Sequence, residues 1–250
     1  MRISELKCGK IYLGDCLDVL KTFEDKSVDV SFTSPPYNDV GSEEHITDTG
    51  KLMSGKNVQH TKYKYVDYRE DWLQWQIEVI DELLRVSKKY VLYNVQGLKK
   101  VRSDVYKLIG HYADRIHDIV IWKKSNGMPT GTKHKLSNRY EFLLIIKCDG
   151  CDGVDVNSDF YTNVIESPAN SDRQYSKIHR AVMSKQFCDE VIKEFTKEGD
   201  IVLDPFFGLG TTGLVCTEQN RKFIGIEIFD EYFDCATSRI KDSTAKNDLW

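Results

Sequence analysis

Residues 201–213 read Ile-Val-Leu-Asp-Pro-Phe-Phe-Gly-Leu-Gly-Thr-Thr-Gly. The apolar residues ahead of Asp204 and Pro205 read as a short buried strand, and the glycines behind them as a turn that opens a helix. Gly208, Gly210 and Gly213 satisfy G-x-G-x-x-G. Glycines at such a turn let the backbone approach a ligand closely, and the helix start offers free amides. The next apolar stretch, residues 223–226, ends in Glu227, where a carboxylate can accept both hydroxyls of a ribose. Taken alone, the glycines also fit a plain tight turn.

The chain ends at Trp250, so the residues after Gly213 hold about one more βα unit. The rest of the sheet must come from residues N-terminal to the turn. A dinucleotide-binding fold normally starts at its Gly-rich loop, which argues against a nicotinamide-dependent oxidoreductase, the first rival reading. Upstream, apolar stretches recur near 10–14, 28–33, 90–95, 117–122 and 141–146 and read as buried strands. Helical spacing links Trp72, Trp75, Val79, Leu83 and Val86, then Leu98, Val101, Val105 and Leu108, then Phe187, Val191 and Phe195. Strands alternating with helices predict an α/β fold, a mostly parallel sheet with helices on both faces. Polar stretches at 38–66, 123–139 and 149–178 interrupt this rhythm and are read as the substrate-facing side.

The strand at 28–33 runs into Ser34-Pro35-Pro36-Tyr37-Asn38. Two prolines fix φ and remove two amide donors, so the turn is stiff and presents Ser34, the Pro35 carbonyl and the Tyr37 ring. Oxygen acceptors beside an aromatic ring suit a planar heterocycle that carries an amino group. A structural Pro-Pro turn is the plain alternative. Together with the glycine turn, this segment resembles the amino-methylating DNA methyltransferases, whose signature pairs Ser/Asp/Asn-Pro-Pro-Tyr/Phe with Phe-x-Gly-x-Gly. The resemblance covers nearly the whole chain. Here the Pro-Pro-Tyr motif comes first, which looks like the circularly permuted order called the β class.

The resemblance implies a Rossmann-like methyltransferase fold in one domain, residues 1–250, with a short target-recognition insert at 149–178. It implies S-adenosylmethionine as cofactor. Asp204, Phe206, Gly208 and Gly210 would wrap the methionine part, with Pro205 between them and Thr211 and Thr212 next at the helix start. Glu227 would hold the ribose. Gly14-Asp15-Cys16 resembles the adenine-binding segment, so Asp15 and Cys16 join the cofactor set. Residues 118–123 and 139–147 look like later strands of the family, and residues 179–195 resemble the helix that lines the methionine pocket. Ser184 stands where the family often has proline. Ser34, Pro35, Pro36 and Tyr37 would hold a base flipped out of the duplex. A serine before Pro-Pro-Tyr is typical of cytosine N4 methylation and an aspartate of adenine N6 methylation, so cytosine is the first reading and adenine the alternative. Protein glutamine methyltransferases also use Pro-Pro-Tyr, but Asn-led and after the glycine motif.

Composition sets the limits of this reading. Hydrophobic residues make up 40% of the 250 and charged residues 30%, which predicts a globular chain. The longest apolar run is residues 142–146, far short of a membrane span. A net charge of −4 is unusual for a nucleic-acid binder, yet the windows 51–64, 123–139 and 173–185 hold 13 of the 35 basic residues and no acidic one. A basic face on an acidic body is therefore expected, with DNA as its partner. A cognate restriction endonuclease and a homodimer are the further candidate partners. Seven cysteines without a disulfide framework fit a reducing cytoplasm. Cys148 and Cys151 read as two loop thiols, and no metal site is expected.

Overall fold

A computed structural model describes residues 2–37, 69–98, 100–126, 136–159, 161–169, 175 and 182–247. The stretch expected to form a loop at 38–66 lies outside the described residues, as do most of 127–139 and parts of 149–178.

The described strands are β1 (Arg2–Leu6), β2 (Gly9–Leu13), β3 (Val28–Thr33), β4 (Ser87–Val95), β5 (Ile116–Lys124), β6 (Tyr140–Lys147), β7 (Val164–Ser167), β8 (Ile201–Asp204) and β9 (Lys222–Glu227). The helices are α1 (Cys16–Leu20), α2 (Trp72–Val86), α3 (Arg102–His111), α4 (Lys185–Phe195), α5 (Thr211–Glu218) and α6 (Asp230–Asn247). One sheet runs in the order β1-β2-β9-β8-β3-β4-β6-β5-β7. Pairings from β2 through β9, β8 and β3 to β4 are parallel, as is β5 with β7, while β1 and β6 pair antiparallel to their neighbours. The mostly parallel α/β sheet expected from the sequence is present.

Neighbouring residues on each strand feed opposite cores, as the two-residue period of a strand requires. Val202, Leu92 and Leu143 join Phe187, Val191, Val215 and Ile240 of α4, α5 and α6. Leu203, Val91 and Leu144 join Leu20, Val79, Leu83 and Val105 of α1, α2 and α3. Helices therefore cover both faces, and each fully buried Leu, Val or Phe contributes about 1.5–3 kcal/mol.

Several expectations need correction. β1 and β7 are strands that no apolar run in the sequence announces, and β7 lies inside the polar stretch 149–178. Leu98 and Val101 precede α3 rather than belonging to it, since Val101 is its N-cap residue. The helix expected across 179–195 starts at Lys185, where Ser184 caps it by accepting the Phe187 amide at 3.4 Å. No helix among the described residues is long and apolar enough to cross a membrane.

β3 and β8 are parallel neighbours, with Val30 opposite Val202 and Ser31 opposite Leu203. Beyond β3 the chain passes through α2, on one face, to β4. Beyond β8 it passes through α5, on the other face, to β9. The order reverses here, and in such sheets ligands bind outside the carboxyl ends of the strands at this point.

Candidate active site

The two motifs meet at that crevice and share one carboxylate. Asp204, the last residue of β8, is buried at 2% exposure. Its Oδ1 accepts the Thr33 hydroxyl at 2.6 Å and the Phe206 amide at 3.1 Å, and its Oδ2 accepts the Thr212 hydroxyl at 2.7 Å. Burial raises its pKa, against the opposing pull of the Thr33, Thr212 and Phe206 hydrogen bonds. Thr33 immediately precedes Ser34, and Thr212 lies in the first turn of α5, so Asp204 is a strut between the Pro-Pro-Tyr turn and the glycine turn.

The glycine turn needs the left-handed backbone, with φ +52° at Gly208 and +74° at Gly210. At Gly210 a side chain would also meet Ala236 at 3.0 Å and the Phe207 ring at 3.1 Å, whereas at Gly208 it would meet nothing closer than the Phe206 carbonyl at 4.0 Å. Gly213, the third glycine of the pattern, is a packing residue: a Cβ there would sit 2.6 Å from the Phe207 ring. Pro205 and Phe206 carry the chain from the strut into the turn, and the Phe206 ring packs on Trp75 of α2 at a centroid distance of 5.4 Å. Arg239 of α6 fastens the turn from below by donating to the Leu209 carbonyl at 3.0 Å and the Thr211 hydroxyl at 3.1 Å.

Glu227 ends β9, beside this turn. Its Oε2 accepts the Gly208 amide at 2.7 Å and its Oε1 the Phe229 amide at 2.9 Å. Burial pushes its carboxyl up to about 7, with the amides of Phe229, Gly208 and Ile228 pulling the other way. A carboxylate has about four acceptor directions, so beyond these three amides Glu227 keeps acceptor capacity for a ligand. At the end of the neighbouring β2, the Gly14 amide donates to the Glu227 carbonyl at 2.9 Å. Asp15 caps α1 by accepting the Leu17 amide at 2.9 Å, and Cys16 is buried, its thiol pushed up to about 12 by burial first and by Asp15 second. The residues expected to bind the cofactor on β2, β8 and β9 thus lie at the carboxyl ends of three neighbouring parallel strands.

Ser34 and Tyr37 lie at the same carboxyl end of the strands, past β3. The Ser34 and Tyr37 hydroxyls are 2.6 Å apart, and Tyr37 donates to Glu141 Oε2 at 2.8 Å. Asn94 Nδ2 donates to Tyr37 Oη at 2.9 Å, to Ser34 Oγ at 3.3 Å and to Glu141 Oε2. Glu141 Oε1 pairs with Lys124 Nζ at 2.5 Å. The Pro36 carbonyl accepts Trp72 Nε1 at 2.8 Å and Gln76 Nε2 at 3.4 Å, which ties the turn to α2. Pro35 is buried between these anchors.

Asn94, Lys124, Glu141 and Arg239 were not found from the sequence. Glu141 and Lys124 are charged residues at the ends of strands with apolar runs, Glu141 buried at 4% exposure and Lys124 half-buried. A charge adjoining a strand's apolar run is the one signal that could have singled them out. Strand direction brings them together: β6 runs opposite to β4 and β5, so its start meets the ends of both, with Val95 opposite Phe142 and Trp122 opposite Glu141.

Comparison with known proteins agrees with this geometry. A family model described as DNA methylase matches residues 28–152 and 152–238. The type II methyltransferase M.HinfI of Haemophilus influenzae is 26% identical over 250 residues, covering 93% of this chain and 68% of its own. Among solved structures, PvuII DNA methyltransferase, described as cytosine-N4-specific, aligns with a TM-score of 0.70 at 17% identity over 96% of this chain and 92% of its own. M1.HpyAVI in complex with SAM aligns with a TM-score of 0.61 at 21% identity over 93% and 98%. The fold is that of the methyltransferases.

Proposed function

This chain belongs to the DNA methylase family, and from that membership we propose that it moves a methyl group from S-adenosylmethionine to the exocyclic N4 amino group of a cytosine flipped out of duplex DNA. The observation that carries the proposal is the Asp204 strut, one buried carboxylate bonded both to Thr33 beside Ser34 and to Thr212 at the start of α5. Transfer to an amine needs nitrogen, methyl and sulfur in line, so the catalyst is chiefly a positioning device. A rigid link between the base-holding turn and the cofactor-holding turn is what such a device requires. Family membership sets aside the oxidoreductase rival.

The residues fit the cofactor. On its side-chain side Gly208 has no neighbour nearer than the Phe206 carbonyl at 4.0 Å, and Glu227 stands beside it with acceptor capacity left over. The cofactor supplies a methyl group on a sulfonium, an activated donor that needs no covalent enzyme intermediate. In this reading Glu227 holds the ribose, Asp15 and Cys16 border the adenine, and Pro205, Phe206, Gly208 and Gly210 wrap the methionine part. The Asp204, Thr211 and Thr212 side chains are engaged within the protein, so they serve by holding the turn in shape.

Ser34 and the Pro35 carbonyl accept hydrogen bonds from the target amino group and favour a more tetrahedral nitrogen as positive charge develops. Tyr37 stacks on the flipped base, and Pro36, pinned by Trp72 and Gln76, keeps the turn rigid. The short, neutral Ser34 supports cytosine as the target. Basic residues of the stretches 51–64, 123–139 and 173–185, apart from Lys124, which pairs with Glu141, hold the phosphates. A cognate restriction endonuclease and a second copy of this chain are the partners that accompany this reading, and the cytoplasm is where they would meet DNA. Incubation with methyl-labelled S-adenosylmethionine tests it: label is expected in duplex DNA, and label found solely in protein or RNA rules it out.

The titration of Glu227 gives a second expectation. Its folded pKa of about 7 lies above the ordinary 4.5. Its contribution to stability is therefore complete below about 4.5 and is lost as pH rises through about 7. Ribose hydroxyls donate to the ionised carboxylate, so binding competes with protonation. Cofactor affinity measured by calorimetry should fall by up to about tenfold for each pH unit below about 7. Glu227→Gln should bind weakly and without that slope. A wild-type Kd that is constant between pH 5.5 and 7.5 removes Glu227 from the ribose site.

A further inference from the structure

The hydroxyls of Ser34 and Tyr37 can each donate or accept, and which they do decides whether Ser34 can receive a hydrogen bond from an amine. Glu141 decides it. A carboxylate can only accept, so the Tyr37 hydrogen is drawn to Glu141 Oε2 at 2.8 Å. The Asn94 backbone carbonyl, 3.5 Å away, is the more distant acceptor for that hydrogen, so Tyr37 Oη is left to accept from Asn94 Nδ2 at 2.9 Å and Ser34 at 2.6 Å. The Ser34 hydrogen is thereby committed to Tyr37. Asn94 is held in its orientation as well, because turning its amide over would set Oδ1 against the Glu141 carboxylate. Lys124 Nζ, 2.5 Å from Glu141 Oε1, compensates the buried charge.

We propose that Glu141, clamped by Lys124, is a positioning residue that fixes the direction of the hydrogen-bond chain Ser34–Tyr37–Glu141, so that Ser34 meets the target amino group as an acceptor and the amine proton leaves along the chain. The proposal rests on the reading of Ser34 as the residue that holds the target amine, and it applies to a cytosine or an adenine amino group alike. In the step, a nitrogen–carbon bond forms and the methyl carbon–sulfur bond breaks, with its electron pair staying on sulfur. The proton released from nitrogen passes to Ser34 Oγ, the Ser34 proton to Tyr37 Oη and the Tyr37 proton to Glu141 Oε2. Glu141 ends as a neutral carboxylic acid and returns its proton to water before the next turnover.

Single-turnover transfer of labelled methyl to duplex DNA, at saturating cofactor and DNA, tests the role in wild type, Tyr37→Phe, Glu141→Gln and the double variant, each checked for folding by its melting transition and for cofactor Kd. Glu141→Gln should turn the chain around. Lys124 demands an acceptor, so the Gln carbonyl faces it and the Gln amide donates to Tyr37, which then donates to Ser34. The rate should drop at least about 30-fold with cofactor Kd within about twofold of wild type. Tyr37→Phe breaks the chain without reversing it and should cost about 10-fold. In the double variant the misdirected donor is gone, so the rate should recover to the Tyr37→Phe level. A merely structural role predicts the reverse, a double variant slower than either single one, and that result overturns the proposal. So does a Glu141→Gln rate within threefold of wild type. Should Glu141→Gln fail to fold, Tyr37→Phe still decides, and a rate within threefold of wild type refutes the chain. A wild-type enzyme that labels no DNA overturns both this role and the function it rests on, whereas an active wild type beside unaffected variants overturns this role alone.

Discussion

Asp204→Ala should lower the free energy of unfolding by about 3–5 kcal/mol, a large share of the 5–15 kcal/mol that holds a domain folded. The substitution leaves the Thr33 and Thr212 hydroxyls and the Phe206 amide without their acceptor in a site that water does not reach. Orphaned buried donors cost about 1–3 kcal/mol each, and some of that is recovered because the carboxylate itself no longer has to be desolvated. Asp204→Asn should cost less, since its carbonyl oxygen still serves Thr33 and Phe206 while the Thr212 hydroxyl rotates to accept from the new amide. Urea denaturation of the three proteins gives the comparison. A midpoint for Asp204→Ala equal to that of wild type would mean that the two turns are held together by something other than this carboxylate.

The second large effect belongs to chemistry rather than folding. Ser34→Ala should slow methyl transfer by about 10²- to 10³-fold, the cost of losing one preorganised group that stabilises charge in a transition state. Melting temperature should change little, because Ser34 is only half-buried and Tyr37 keeps its bonds to Glu141 and Asn94. Cofactor Kd should also hold, since Ser34 lies just past β3 and the residues proposed to hold the cofactor lie at the ends of β2, β8 and β9. Single-turnover kinetics separate these quantities. A rate within tenfold of wild type would shift the acceptor role to another group.

Much of this molecule is legible in contiguous sequence. The central strands are runs of buried Val, Ile, Leu and Tyr, and the two turns are spelled out by adjacent residues whose backbone chemistry is distinctive. The two missed strands lie at the two edges of the sheet. β1 carries mostly exposed residues and β7 has Ile165 as its only buried apolar residue, so neither leaves an apolar run to notice. Helix α1 spans five residues, too few for a period to emerge. The polar half of the site was hidden for another reason. Tyr37 and Glu141 are 104 positions apart, Asn94 and Glu141 47 apart, and each is a single polar residue whose meaning depends on strand order and direction. The reversal of β6 brings Glu141 to the candidate site, and nothing local in residues 140–147 announces that reversal. Glu227 and Asp204 show the complementary case. Their positions were legible, but their hydrogen-bond partners, the Gly208 amide for one and two threonines from separate elements for the other, required the fold.

Nucleoside mass spectrometry of duplex DNA treated with the enzyme and S-adenosylmethionine tests the central claim most directly. The account predicts N4-methylcytosine, formed in DNA exposed to wild type and reduced at least about a hundredfold in rate with Ser34→Ala. N6-methyladenine without N4-methylcytosine would contradict the choice of base, and DNA that carries no methylated amino group at all would contradict the account.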